Sequence, residues 1–297
     1  MKQRAKNWTV LELLNFATEY LENKNVENAR LNVEWLLSKI LDLNRVQLYL
    51  NFQRPVIPAE LQRFKELLQR RAKQEPLQYI LGSTEFMALP FKVNPNVLVP
   101  RPETEILVES VIEVCQEKFS SNERITILEI GTGSGCIAVS LAKNINGCDI
   151  TAIDISQEAL DIAVQNAELN NQTSKIHFMK TDFRNQTTLP HSSYDIIVSN
   201  PPYISKSDFE QLPEEIKNYE PTVALMDNAD GLSFYRQIGE YCPAGLNPGG
   251  LVFVEVGLGQ AQKVKELFVS NRLSSVNIIK DLNGIERVVC AEYEQSN

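Results

Sequence analysis

The chain has little of what builds a metal centre or a disulfide framework. Only two histidines, His177 and His191, occur in 297 residues, and neither stands at ligand spacing, so no metal site is expected. The five cysteines, at 115, 136, 148, 242 and 290, form no CxxC pair, and their odd number suits a reducing compartment in which they serve as small buried hydrophobes. No long apolar run is present. Residues 1–7 are basic and polar, and an amphipathic stretch with Glu12, Glu19 and Glu22 follows, which is neither a signal peptide nor a membrane span. A soluble, cytoplasmic protein with no membrane partner is expected. Basic residues are also scarce: 29 Lys and Arg against 38 Asp and Glu give a net charge of −9 and a pI near 5.0. Stable nucleic-acid binding is therefore not expected, because a phosphate-tracking surface needs cations in excess, although a local basic patch survives this argument. Internal repeats and low-complexity tracts are absent as well.

What is present is enough apolar material, 43%, for a substantial core, and a length that calls for one large domain or two unequal ones. Thr9-Val10-Leu11-Glu12 has the form of a capping box, and apolar residues at helical spacing follow it. Further stripes run through Val33, Leu36, Leu37, Ile40 and Leu41, through Val46 and Leu50, and through Leu61, Phe64, Leu67 and Leu68 behind Pro58. Residues 1–78 thus read as a small helical bundle without strands or a catalytic cluster. From Gln78 the texture turns to glycine and proline, and residues 79–104 read as a linker with a β-hairpin built from the short runs 86–89 and 97–99. Arg101 and Glu103 stand between prolines there, either held toward a site or solvated, and physics alone favours solvated linker charges.

Residues 105–297 open on a helical stripe through Ile106, Val108, Val111 and Ile112, and after Arg124 strand and helix patterns alternate. Strands are expected at 125–130, 150–153, 176–179 and 195–199, with helices at 137–145 and 159–169 between them. That alternation predicts a doubly wound, mostly parallel α/β sheet. A helix at 232–241, a strand at 251–256 and a helix at 260–268 follow. The runs 276–280 and 287–291 around Asn283-Gly284 read as a C-terminal antiparallel hairpin.

Chemistry concentrates at the carboxyl ends of those strands, where open α/β sheets bind ligands. Glu129-Ile130-Gly131-Thr132-Gly133-Ser134-Gly135 joins the first strand to its helix as a glycine-rich cofactor loop, with Cys136 in place of the further glycine of a dinucleotide fingerprint. Asp154 ends the second strand, where it either takes the ribose hydroxyls of an adenosyl ligand or caps the next helix. Asp182-Phe183 follows the third, with Asp182 an acceptor for an adenine amino group and Phe183 either its cover or core. The fourth strand, Asp195-Ile196-Ile197-Val198-Ser199, stops at Asn200-Pro201-Pro202-Tyr203, because two prolines cannot continue a ladder. Asn200 offers a side-chain carbonyl and Pro201 a backbone carbonyl, two acceptors suited to one planar NH2 group, with Tyr203 available to cover it. No His, Cys or carboxylate stands beside the tetrad as an obvious base, and none is assigned.

A nicotinamide dehydrogenase shares the first two features but leaves residues 200–203 unexplained. At that tetrad the chain resembles the class I S-adenosylmethionine-dependent methyltransferases that act on amino and amide nitrogens. With the helical front, Val99-Pro100-Arg101-Pro102-Glu103-Thr104-Glu105, Tyr219-Glu220-Pro221 and Asp230-Gly231-Leu232 included, it resembles the release factor glutamine methyltransferase (HemK/PrmC) family over nearly its whole length. The resemblance implies a Rossmann-like methyltransferase sheet at 105–297 and substrate recognition by 1–78. It implies S-adenosyl-L-methionine held by Gly131, Thr132, Gly133, Ser134, Gly135, Asp154, Phe183 and Asn200. The NPPY motif, Asn200, Pro201, Pro202 and Tyr203, would bind and orient a substrate amide, and peptide chain release factors would be the substrates, methylated on the glutamine of their Gly-Gly-Gln loop. Phe183 departs from relatives that carry Trp, which keeps stacking and loses an N–H donor. The nearest alternative is methylation of an adenine or guanine amino group in nucleic acid. A catalytically idle adaptor that binds a nucleoside is a third reading.

Overall fold

The computed structural model describes residues 7–120, 123–185 and 193–294; the basic stretch at 1–6 and His191 lie outside them. The chain divides into two units, Met1–Gly82 with Glu214–Tyr219, and Ser83–Pro213 with Glu220–Asn297.

The first unit is helical: α1 (Val10–Glu22), α2 (Ala29–Leu41), α3 (Arg45–Leu50), α4 (Pro58–Arg71) and α5 (Leu77–Leu81). Thr9 and Glu12 close the capping box reciprocally, the Thr9 N–H donating to Glu12 Oε2 at 2.9 Å and the Glu12 N–H to Thr9 Oγ1 at 3.3 Å. The stripes of α1, α2 and α4 meet in one core around Leu14, Leu36, Leu37 and Phe64, each fully buried side chain of this kind contributing roughly 1.5–3 kcal/mol, whereas the expected stripe through Val46 and Leu50 is exposed and α3 buries Leu48 instead. The helix Glu214–Tyr219 belongs to this unit. Its Glu215 takes the guanidinium of buried Arg71 at 2.9 Å, and the Tyr219 hydroxyl donates to the Lys73 carbonyl at 2.8 Å.

The second unit opens on a hairpin, β1 (Ser83–Phe86) and β2 (Leu89–Lys92), followed by α6 (Glu105–Lys118). The run at 86–89 is thus the hairpin's turn and 97–99 is not a strand. Met87 and Ala88 hold the turn at φ 50° and 56°, and the Glu105 carboxylate accepts the Met87 N–H at 2.6 Å. Then come β3 (Ile125–Ile130), α7 (Cys136–Asn144), β4 (Cys148–Asp154), α8 (Gln157–Leu169), β5 (Ile176–Lys180) and β6 (Tyr194–Ser199). Three short helices follow, α9 (Lys206–Phe209), α10 (the Glu214–Tyr219 helix) and α11 (Thr222–Leu225). The chain closes with α12 (Ser233–Gly245), β7 (Leu246–Glu255), α13 (Ala261–Ser270), β8 (Leu273–Lys280) and β9 (Glu286–Tyr293).

The sheet order is β5-β4-β3-β6-β7-β9-β8, parallel from β5 to β7 and antiparallel from β7 through β9 to β8. The doubly wound, mostly parallel sheet with a C-terminal antiparallel hairpin is therefore observed. One core lies on each of its faces, one around Val108, Ile127, Leu141 and Val198, the other around Leu128, Ile197, Val252 and Phe268. The chain winds outward from β3 through β4 to β5 and returns on the other side of β3 as β6. That reversal opens a crevice at the carboxyl ends of β3 and β6. At the opposite end, Asp195 accepts the Thr126 N–H at 2.8 Å and the Asn247 amide at 2.7 Å, fixing the register of β6 between its neighbours.

Candidate active site

The crevice is a cleft of about 1220 Å³, counting its open mouth, and its walls come from the glycine-rich loop, the ends of β4 and β5, and the segment after β6. Gly131, Gly133 and Gly135 all sit at positive φ, and a Cβ built on Gly131 or Gly133 meets nothing within 4 Å. The loop backbone therefore faces open space where a ligand can approach closely. The Gly131 and Thr132 N–H groups both donate to the Ile153 carbonyl at 2.9 Å, tying the loop to β4. Behind it, the buried Asn166 amide donates to the Ser134 carbonyl at 2.8 Å and exchanges hydrogen bonds with the Lys92 backbone, so the hairpin braces the loop. Glu129 is fully buried and accepts the Thr132 hydroxyl at 2.7 Å; burial pushes its carboxyl up to about 8, against that hydrogen bond.

Asp154 ends β4 and borders the cleft. Its Oδ2 accepts the Gly133 N–H at 2.8 Å and its Oδ1 the Ser156 N–H at 2.9 Å. Burial raises its pKa, while these backbone donors favour the charged form. The helix cap of α8 is Ser156, whose hydroxyl accepts the Ala159 N–H at 3.1 Å, so Asp154 is not the cap. Each of its oxygens keeps a lone pair for a further donor. Phe183 lines the cleft and rests edge-on against Tyr241, centroids 5.2 Å apart. The Asp182 carboxylate is held by its neighbour Arg184 at 3.0 and 3.1 Å.

Asn200, Pro201 and Pro202 line the same cleft as the glycine loop. Tyr203 is not among the lining residues; it packs against the core on the Leu128 face, where burial pushes its hydroxyl up to about 12. The Asn200 amide donates to the buried Thr104 hydroxyl at 3.2 Å. A carboxylate does stand beside the tetrad, contrary to the expectation from sequence neighbours alone. Glu255, at the end of β7, faces both Thr104 and Asn200 from behind, and its Oε2 has no hydrogen-bond partner. It does not line the cleft. Arg101 is likewise no solvated linker charge, because it pairs with Glu220 at 2.6 Å, the carboxylate being 2% exposed. Glu103 lies 3.7 Å from Arg287 and stays half-exposed. The segments around 101 and 220 are thus joined at the cleft, which neither signalled alone.

Burial pushes the Glu255 carboxyl up to about 7; Thr104, Arg287 and Asn200 oppose the shift and Glu103 adds to it. With an unfolded value near 4.5, its contribution to stability is full below that pH and lost as pH rises through 7. The expected loss is on the order of 3 kcal/mol at about 1.4 kcal/mol per unit. Urea midpoints at pH 5 and pH 8 check this: the wild type should weaken more between them than Glu255→Gln does. Parallel curves would remove Glu255 as the titrating group.

Among the described residues no group of side chains could hold a metal ion, and no helix is long and apolar enough to cross a membrane. A family model described as the PrmC N-terminal domain matches residues 12–82, and one described as the methyltransferase small domain matches residues 106–216. The release factor glutamine methyltransferase of Geobacter sulfurreducens is 43% identical over 97% of this chain and 98% of its own length. The chain belongs to the release factor glutamine methyltransferase family. The enzyme of that name from Bacillus subtilis is 37% identical over 95% of this chain and 97% of its own. Among solved structures, the hMettl16 catalytic domain in complex with a 3′UTR hairpin shares the fold, with TM-score 0.55 and 17% identity over 82% of this chain and 86% of that one. A methyltransferase from Pyrococcus furiosus does so with TM-score 0.50 and 21% identity over 71% and 91%. These two likenesses concern the fold alone.

Proposed function

We propose that this member of the release factor glutamine methyltransferase family transfers a methyl group from S-adenosyl-L-methionine to the side-chain amide nitrogen of the glutamine in the Gly-Gly-Gln loop of peptide chain release factors. The observation that carries the reading is 43% identity to a relative of that name along almost the whole of both chains. The residues fit the cofactor. Gly131 and Gly133 leave a cradle that a Cβ would fill, Asp154 presents a carboxylate for ribose hydroxyls, and Phe183 offers an aromatic face.

Bound there, S-adenosylmethionine supplies an electrophilic sulfonium methyl. An amide nitrogen is a poor nucleophile because its lone pair is delocalised into the carbonyl. The Asn200 Oδ1 and the Pro201 carbonyl, each accepting one N–H, raise electron density on that nitrogen and hold it in line. Thr104 and Glu255 engage the NH2 side of Asn200, which leaves Oδ1 for the substrate. The proton displaced from nitrogen leaves to solvent at the cleft mouth.

The front helical unit carries neither the glycine-rich loop nor the NPPY tetrad, so its part in this reading is to hold the protein substrate. The test is methyl transfer from labelled S-adenosylmethionine to a full-length release factor, a Gly-Gly-Gln peptide and nucleic acid. Full-length factor should be methylated with the highest kcat/KM. Transfer to nucleic acid in preference would replace the reading with base methylation. Equal kcat/KM for peptide and factor would remove the front unit from recognition.

A further inference from the structure

The NPPY motif ends in a segment with unusually few backbone anchors of its own. Pro201 and Pro202 have no N–H, and the first ladder-like contact after them is at Ile204, which donates to the Leu225 carbonyl at 3.0 Å and accepts the Asp227 N–H at 3.2 Å. Between these points the chain is held by one side chain from elsewhere. Gln260, the residue before α13, donates from Nε2 to the Tyr203 carbonyl at 3.0 Å and to the Gly231 carbonyl at 3.3 Å. Its Oε1 accepts the Gly257 N–H at 3.0 Å, and the buried Tyr235 hydroxyl, which donates to the Glu255 carbonyl at 2.9 Å, stands 3.4 Å from it. Both amide protons and the amide oxygen are thus committed to three separate loops.

The glycines around this side chain are there for its approach. A Cβ on Gly231, at φ +81°, would sit 2.6 Å from the Tyr203 carbonyl oxygen and 2.8 Å from Gln260 Nε2. One on Gly257 would sit 2.9 Å from the Tyr203 ring and 2.8 Å from Gln260 Oε1. Gly231 lies before α12 and Gly257 between β7 and α13, so two separate loops each place a glycine against this one amide. Such close packing around one amide serves to set a direction.

We infer that Gln260 is a positioning residue: by fixing the Tyr203 peptide through the Gly231 and Gly257 turns, it aims the Pro201 carbonyl and Asn200 at the reacting nitrogen. The Pro202 ring locks one of the torsions between the two carbonyls, so pinning the Tyr203 carbonyl limits how far the Pro201 carbonyl can turn. Gln260 does not line the cleft, so its effect acts through the tetrad. The inference rests on the methyl-transfer reading above.

The test uses the full chain with Gln260→Glu, which keeps the acceptor and removes both donors, and Gln260→Met, which keeps the length and removes all polar atoms. Both should lower kcat by about 10²-fold, the scale of a small misplacement at the reacting centre, while S-adenosylhomocysteine affinity stays within about twofold. A purely structural role would move affinity and thermal midpoint together with kcat. Folded variants with wild-type kcat, or parallel losses of kcat and S-adenosylhomocysteine affinity, would overturn the assignment. An inactive wild type would instead count against the methyl-transfer reading itself.

Discussion

Asn200→Ala is expected to lower the methyl-transfer rate by about 10²–10³-fold, as removal of one fixed hydrogen-bonding partner of a developing charge does. The S-adenosylhomocysteine affinity should change little, because the glycine loop and Asp154 remain. The size of the effect follows from how completely the side chain is committed. Its NH2 donates to Thr104 at 3.2 Å and faces the buried Glu255 carboxyl, which leaves the oxygen as the end of this cleft-lining side chain available to a substrate. Asn200→Asp provides a sharper version. It exchanges the NH2 for a second oxygen facing Glu255, and two carboxyl groups in one buried place cannot both ionise. That variant should be at least as impaired as alanine at pH 8 and recover partly as pH falls, since one shared proton relieves the repulsion. Single-turnover rates with a release factor and calorimetry with S-adenosylhomocysteine separate chemistry from binding. Turnover of Asn200→Ala within a few-fold of wild type would remove Asn200 from the catalytic role.

Much of the fold was legible because its central strands are unbroken β-formers, as in Ile125-Thr126-Ile127-Leu128-Glu129-Ile130, and helices of clear period separate them. The misplaced hairpin has a physical cause. Its turn uses left-handed Met87 and Ala88 where Asn-Gly would announce it, and the strain is offset by the Glu105 hydrogen bond and by the packing of buried Phe86 against Phe91. The early start of β7 was hidden by Pro248-Gly249-Gly250, which falls inside the strand where its register against β6 shifts between Tyr194 and Ile196. At the site, the cleft brings together the glycine loop, Asp154, Phe183 and residues 200–202 but not Tyr203, and the groups behind them were missed. Glu255 stands inside the expected strand at 251–256 and Thr104 inside the 99–105 segment, and neither carried a role there. Only the fold reveals that both lie against Asn200. The Glu after Val252-Phe253-Val254 was the available signal, since an acidic residue at the carboxyl end of an apolar strand rarely serves packing alone.

For Asp154, the structure sharpens what substitution should do. Its two oxygens hold the Gly133 and Ser156 N–H groups, so the carboxylate already fixes the loop before any ligand arrives. In the proposed complex the remaining lone pairs accept the ribose hydroxyls. Asp154→Ala therefore removes charged hydrogen bonds, each worth about 1.5–3 kcal/mol, and frees Gly133 as well. S-adenosylmethionine and S-adenosylhomocysteine should weaken alike, by about one to two orders of magnitude, because the ribose is common to both. Asp154→Asn should fall between, since one of its two termini becomes an NH2 group set against a backbone N–H that formerly had an acceptor. Titration calorimetry on both ligands gives the answer. A loss confined to S-adenosylmethionine would mean that Asp154 senses the sulfonium charge. Unchanged affinity for both would leave Asp154 as a brace between Gly133 and Ser156 and nothing more, and ribose recognition would then have to come from another side chain on the cleft wall.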